Sequence, residues 1–237
     1  LKLFVNGDSH TAAAEAVNPH AFAEDDGRYN YLGRVPHPAN LRVSWGKRLS
    51  EALKYGFYCA AESASSNERI RRTTQEWIAQ NPQATTETLV VIQWSTWERQ
   101  EWLIDGVYYQ VTASGIDDVP TDHQDRYRRY IADLDWQAVT EQEHQKIWQL
   151  HQELDHLGVP HVFFNGDNHF EQIPEPQRLD WGSAYILPYD PDSTYHAWLT
   201  RNGHETVSAD SWHFGPEAHG AWSRFVLQYL LRNQLVR

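Results

Sequence analysis

The chain contains no methionine and a single cysteine, Cys59. One thiol cannot close an internal disulfide, so nothing in its covalent chemistry calls for an oxidising compartment, and a cytoplasmic setting is expected. Without Met at position 1, that position need not be where translation starts. The opening Leu-Lys-Leu-Phe-Val is too short for the apolar region of a signal peptide and runs straight into a motif, so it is expected to be a buried strand. No apolar run approaches the roughly 18 residues of a membrane span, and no membrane partner is expected. Basic residues are scarce, 20 Lys and Arg against 32 Asp and Glu, for a formal net charge of −12. The basic clusters Arg69, Arg71, Arg72 and Arg126, Arg128, Arg129 sit among carboxylates. A phosphate backbone would be repelled, and nucleic acid is not expected as a partner. Internal repeats and low-complexity tracts are also missing.

What is present is an ordinary globular composition, 41% hydrophobic and 22% charged over 237 residues, a length suited to one large α/β domain over 1–237. Five short apolar runs have the length of strands buried on both faces: Leu3 to Val5, Phe57 to Ala60, Leu89 to Ile92, Val162 to Phe164 and Ala184 to Leu187. Helical periodicity fills the intervals. Trp45, Leu49, Ala52 and Leu53 form one stripe, and Ile70, Thr74, Trp77 and Ile78 a second that stops at Asn81-Pro82. A third helix is expected over Val139 to Leu157, closed by Gly158. A last one starts at Gly215-Pro216 and buries Trp222, Phe225, Val226, Tyr229 and Leu230. Alternating strand and helix predicts a parallel sheet covered on both sides, with ligands beyond the carboxyl ends of the strands. Two segments fit the alternation poorly, 97–136, with a hairpin around Asp105-Gly106, and 165–182. Both are expected as insertions over the active-site edge.

The first strand ends in Asn6-Gly7-Asp8-Ser9-His10, which puts a serine at the mouth of the sheet. A serine hydroxyl becomes a nucleophile when a base stands beside it, and helix-start N–H groups can hold an oxyanion. By itself Gly-Asp-Ser is a common turn sequence. The second block, Asp210-Ser211-Trp212-His213, comes just before the final helix. Within a turn, residues three apart can face the same side, so Asp210 can hold one imidazole nitrogen while the other serves Ser9.

Together these two blocks resemble the SGNH/GDSL hydrolase family, in which a GDS(L) block follows the first strand and a D-x-x-H block precedes the last helix. The resemblance spans nearly the whole chain. It implies a three-layer α/β/α sandwich with a five-stranded parallel sheet, flavodoxin-like in order, and a serine esterase acting on an O-acyl ester. An O-acetylated carbohydrate is the first candidate substrate, and no cofactor or metal is implied. It implies Ser9 as nucleophile, His213 as base and Asp210 as orienting acid. The family's glycine N–H donor matches Ala64, where a negative φ would make alanine tolerable. Gly-x-Asn-Asp is replaced by Gln93-Trp94-Ser95-Thr96, so that Ser95 or Gln93 would stand in for the missing asparagine beside the N–H groups of Ser9 and Ala64. This altered block, with Ser65-Ser66-Asn67-Glu68-Arg69-Ile70, looks like uncharacterised bacteriophage members of the family.

Trp94, Trp97 and Trp212 are candidates for stacking on substrate, with core packing as the competing role. Glu98 and Arg99 can pair locally or hold a substrate group. His10 is expected to pack or cap, and His219 to be solvated. Two other functions compete. Asp8-x-His10, Gly166-Asp167-Asn168-His169 and Gly203-His204 partly match the Asp/His blocks of two-metal phosphoesterases, although their order departs from that pattern. The altered third block also fits an inactive SGNH-shaped binding or structural protein.

Overall fold

Along the first strand, successive side chains enter two different cores. Leu3 and Val5 face one and Phe4 the other, as the period of two requires when a strand is covered on both faces. The computed structural model describes residues 1–23 and 35–236. Its elements, in chain order, begin with β1 (Lys2–Asn6), α1 (Ser9–Ala12), α2 (Pro38–Val43), α3 (Trp45–Leu53), β2 (Gly56–Cys59), α4 (Asn67–Gln80) and β3 (Thr88–Trp94). There follow β4 (Gln100–Ile104), β5 (Val107–Val111), α5 (Gln124–Ala132), α6 (Trp136–His156), β6 (His161–Asn165), α7 (Tyr195–Arg201) and α8 (Pro216–Arg232). The main sheet is parallel, in the order β2-β1-β3-β6.

One face packs Leu3, Val5, Leu89, Val91, Val162 and Phe164 against α3, α7 and α8 through Trp45, Leu49, Tyr195, Trp222 and Val226. The other packs Phe4, Val90, Ile92 and Phe163 against α4 and α6 through Ile70, Trp77, Ile147, Leu150 and Leu154. The result is the expected three-layer α/β/α sandwich. Burying each of these large side chains is worth roughly 1.5–3 kcal/mol.

The expected fifth strand is a correction. At Ala184 to Leu187 the chain makes a single parallel bridge, Phe163 to Tyr185, with Phe163 N–H donating to the Ala184 carbonyl at 2.8 Å and Ile186 N–H to the Phe163 carbonyl at 2.9 Å. The ladder stops because Leu187 turns away at φ +40° and Pro188 has no N–H to donate. Among the described residues the sheet therefore has four strands, and a separate two-stranded antiparallel sheet joins β4 to β5 at the expected Asp105-Gly106 turn.

That hairpin and α5 build a small core of their own from Trp102, Ile104, Val111, Val119 and Tyr127. The other segment, 165–182, does more than cover an edge: Phe170, Ile173 and Trp181 enter the main core beneath α6. Among the described residues no helix is long and apolar enough to cross a membrane.

Candidate active site

The carboxyl ends of β1, β3 and β6 meet at one edge of the sheet, and the chain leaving each contributes to a cleft of about 560 Å³. Asn6, fully buried at the end of β1, donates to the Ile70 carbonyl at 3.0 Å and to the hydroxyls of Thr73 and Thr74, both at 2.9 Å. This ties the strand end to α4. Gly7 follows in a space only glycine fills, since a Cβ there would lie 2.8 Å from Gln93 Oε1 and closer still to Thr11 Oγ1. Asp8 then caps α1 by accepting from the His10 N–H at 3.0 Å, and Ser9 is the first residue of that helix. The Ser9 side chain lines the cleft, and its hydroxyl has no hydrogen-bond partner among the described residues.

Behind Ser9 lies a buried charge network. Asp8 Oδ2 accepts from Ser95 Oγ at 2.8 Å and from the Arg99 guanidinium at 3.0 Å, and Arg99 also donates to Ser95 Oγ at 2.8 Å. Burial alone would raise the Asp8 carboxyl, but the charges of His10 and Arg99 and the His10 N–H hold it below the usual carboxylate range. His10 Nε2 lies 3.4 Å from Asp167 Oδ2. Burial would lower that imidazole; its bond to Asp167 and the charges of Asp167 and Asp8 raise it instead. Asp167 is held low in return. Arg99 thus pairs with Asp8 and not with Glu98, while His10 forms a salt-bridged wall of the cleft.

His213 enters from the segment between α7 and α8. An antiparallel bridge, Thr206 to Phe214, closes that segment, and Val207 N–H donates to the His213 carbonyl at 2.8 Å. His213 Nδ1 is 2.9 Å from Glu15 Oε2. Ser211 Oγ donates to the same carboxylate oxygen at 2.6 Å and accepts from the His213 N–H at 3.0 Å. Burial and the nearby His10 charge lower the His213 pKa against the opposing pull of Glu15, so the ring is neutral near neutral pH. Glu15, in turn, is held below the usual carboxylate range by Ser211 and His213 despite partial burial.

Ser9, His213, Ala64 and Trp212 line the same cleft, with no direct Ser9 to His213 hydrogen bond among the described residues. The other expected roles need correction. Asp210 is exposed at the tip of a turn, where Ser211 N–H donates to the Ser208 carbonyl at 3.2 Å, and it makes no bond to His213. The turn swings it outward, and Glu15 takes the ring nitrogen in its place. Ala64 has φ +66°, not the negative value expected, so it holds the left-handed conformation that glycine adopts without strain. Ser95 Oγ is spent on Asp8 and Arg99, away from the cleft. Gln93 is fully buried, its Oε1 accepting from Thr11 Oγ1 at 2.8 Å and its Nε2 donating to the Trp94 carbonyl at 3.2 Å.

Trp94 packs edge-on to Phe163 and Trp97 stacks on Phe170, both in the core, so neither can contact substrate. Trp212 is 71% exposed, on the rim. His219, expected in solvent, is buried and accepts from the Trp45 N–H at 3.3 Å; burial pushes it down to about 3. Of the metal-type blocks, His10 and Asp167 meet, but His169 faces Glu171, and among the described residues no three His, Cys, Asp or Glu side chains group as a metal site.

Two residues that the sequence patterns did not single out complete the site. Glu15 carries the only charge in the small-residue run after Ser9, Thr11-Ala12-Ala13-Ala14-Glu15-Ala16, and that isolation was its signal. Thr96 lines the cleft with its Oγ1 buried and unpartnered among the described residues.

The sequence profile of one protein family, described as a family of unknown function (DUF6071), matches residues 36–180. The match takes in Ala64, Thr96, Arg99 and Asp167 and leaves Ser9, Glu15 and His213 outside it. No curated protein matches the chain. Among solved structures, an acetyl xylan esterase (Est2A) from the rumen bacterium Butyrivibrio proteoclasticus is 12% identical at a TM-score of 0.47, over 99% of this chain and 64% of that one. This chain therefore spans less than two thirds of that protein's length. The psychrotrophic esterase EstA from Pseudoalteromonas sp. is 11% identical at a TM-score of 0.43, over 98% of this chain and 97% of that one. A protein described as lipolytic, of the G-D-S-L family, from Desulfitobacterium hafniense is 11% identical at a TM-score of 0.42, over 97% and 99%.

Proposed function

The chain belongs to a family of unknown function, DUF6071, and we propose that its function is ester hydrolysis, with Ser9 as nucleophile and His213 as general base. The observation that supports this is a neutral histidine whose Nδ1 is held at 2.9 Å by a carboxylate, lining one cleft with a serine at a helix start. Histidine so held keeps one tautomer and offers its other nitrogen as a base. The two blocks that carry these residues are also the ones that resemble SGNH hydrolases.

Ser9 Oγ attacks the ester carbonyl carbon and its proton passes to His213 Nε2. The tetrahedral intermediate collapses as His213 returns that proton to the leaving alcohol. Water then repeats the sequence on the acyl-enzyme, releasing the acid and restoring Ser9. No step needs a metal or cofactor. The oxyanion is held by the N–H groups of Ser9 and Ala64, neither of which has an acceptor among the described residues. Thr96 Oγ1 supplies the third donor in place of Ser95 and Gln93. The exposed Trp212 ring on the rim suits a sugar face, which puts an O-acetylated carbohydrate first among the substrates.

The test is turnover of short acyl esters and acetylated glycans. Hydrolysis that disappears in both Ser9→Ala and His213→Ala is expected; no turnover of either class by folded protein contradicts the proposal.

A further inference from the structure

Resting on that assignment of Ser9 and His213, we infer that Glu15, and not Asp210, is the positioning carboxylate that orients His213. Three independent observations converge on it. The first is distance: Glu15 Oε2 is 2.9 Å from His213 Nδ1, and Ser211 Oγ braces the same oxygen at 2.6 Å. The second is the placement of Asp210, exposed at a turn tip with no bond to the ring among the described residues.

The third is the backbone that delivers Glu15. Helix α1 ends after one turn at Ala13, with φ +55°, and Glu15 itself has φ +62°. A non-glycine residue in the left-handed region is sterically strained, because its Cβ crowds the following carbonyl oxygen. Two within three positions turn the chain back toward His213, so the fold tolerates local strain where it presents this carboxylate. Nucleophile and acid then sit six residues apart on one segment, and the base alone comes from the far end of the chain.

In the reaction the Ser9 proton goes to His213 Nε2, and the Nδ1 proton stays on the ring, donated to Glu15 throughout. The carboxylate accepts no proton; it fixes the tautomer and stabilises the imidazolium. The charged and titratable groups that act on His213 are Glu15, His10 and Asp8, and buried His219 is coupled to it by charge. Of these, Glu15 and Asp8 favour the protonated ring and His10 opposes it. Removing the Glu15 charge therefore lowers the pH at which His213 protonates.

The experiment compares wild-type protein, Glu15→Gln and Asp210→Asn in two measurements. The first is the pH profile of ester hydrolysis. Glu15→Gln is expected to lower kcat on the order of 10- to 100-fold with KM little changed, and to shift the acid limb downward. That is milder than the ~10⁴-fold loss on removal of a buried triad acid, because Glu15 is 36% exposed. Asp210→Asn should stay within about twofold of wild type. The second is NMR titration of the His213 imidazole, which needs no turnover and therefore separates failure of this inference from failure of the esterase function. A downward shift in Glu15→Gln alone is expected. A His213 titration moved by Asp210→Asn, or unmoved by Glu15→Gln, overturns the assignment whether or not any ester is cleaved.

Discussion

Thr96 poses the sharpest question at the scale of single residues. A buried hydroxyl without a partner costs on the order of 1–3 kcal/mol, and this one belongs to a residue that lines the cleft together with Ser9. If it waits for an oxyanion, Thr96→Val should reduce kcat about 100-fold while the melting temperature holds or rises. A variant with full kcat would remove Thr96 from the oxyanion site. Ala64 gives a complementary case: at φ +66°, Ala64→Gly relieves left-handed strain. Gly gains chain entropy on unfolding, which offsets part of that relief, so a net stabilisation of about 0.5–1 kcal/mol is expected, read from urea unfolding. That Ser9 and His213 would line one cleft was legible in the sequence because each sits in a short block whose neighbours set its local turn. Glu15 and Thr96 were not. What singles them out is proximity between segments nearly two hundred positions apart in the first case and an absent hydrogen bond in the second, and neither leaves a spacing pattern. Asp210 failed for a related reason: a three-residue spacing permits a shared side, but the turn at Ser208 to Ser211 sends that side to solvent.

Among the elements, the β4–β5 hairpin shows how an insertion is anchored. Arg72 on α4 makes a two-pronged bond to Glu101 on β4, 2.8 Å on each arm, and Gln110 Nε2 on β5 adds a third donor to Glu101 at 2.8 Å. Gln110 Oε1 also accepts from the Ser66 N–H at the start of α4, at 3.1 Å. Glu101 is only 4% exposed, so Arg72→Ala would strand a buried charge. A loss of about 3 kcal/mol is expected in urea unfolding, and a change under 1 kcal/mol would show that the hairpin is not held by this pair. The strands of the sheet were readable because apolar runs buried on both faces need no alternation. The fifth was over-read: Ala184 to Leu187 is apolar enough, yet Pro188 ends its ladder after one bridge. Trp94 and Trp97 were readable as aromatic but not as internal, since only the fold shows Phe163 and Phe170 waiting for them.

Across the whole molecule, buried histidines set the response to acid. Burial pushes His144 and His161 down to about 4 and His219 to about 3. Each stays neutral in the folded chain while its unfolded counterpart protonates near 6.5, so their contribution is complete above that pH and is lost as pH falls toward the folded values. Three such groups give a slope of up to about 4 kcal/mol per pH unit. The lowered carboxyls of Asp8, Glu15 and Asp167 add to the loss only below their ordinary range, while His10, raised, contributes below about 6.5 and loses that contribution at higher pH. Stability measured by urea unfolding should therefore decline from pH 6.5 to 5, before the lowered carboxyls titrate, with burial-raised Glu143 opposing only part of the loss; a flat profile over that range would contradict the burial of these rings. The central claim, that Ser9 is an activated nucleophile, is tested most directly on the intact protein by mass spectrometry after reaction with a fluorophosphonate. One adduct, mapped to Ser9 and absent in Ser9→Ala, is the predicted result. Folded protein that takes up no adduct, or an adduct that persists in Ser9→Ala, would contradict it.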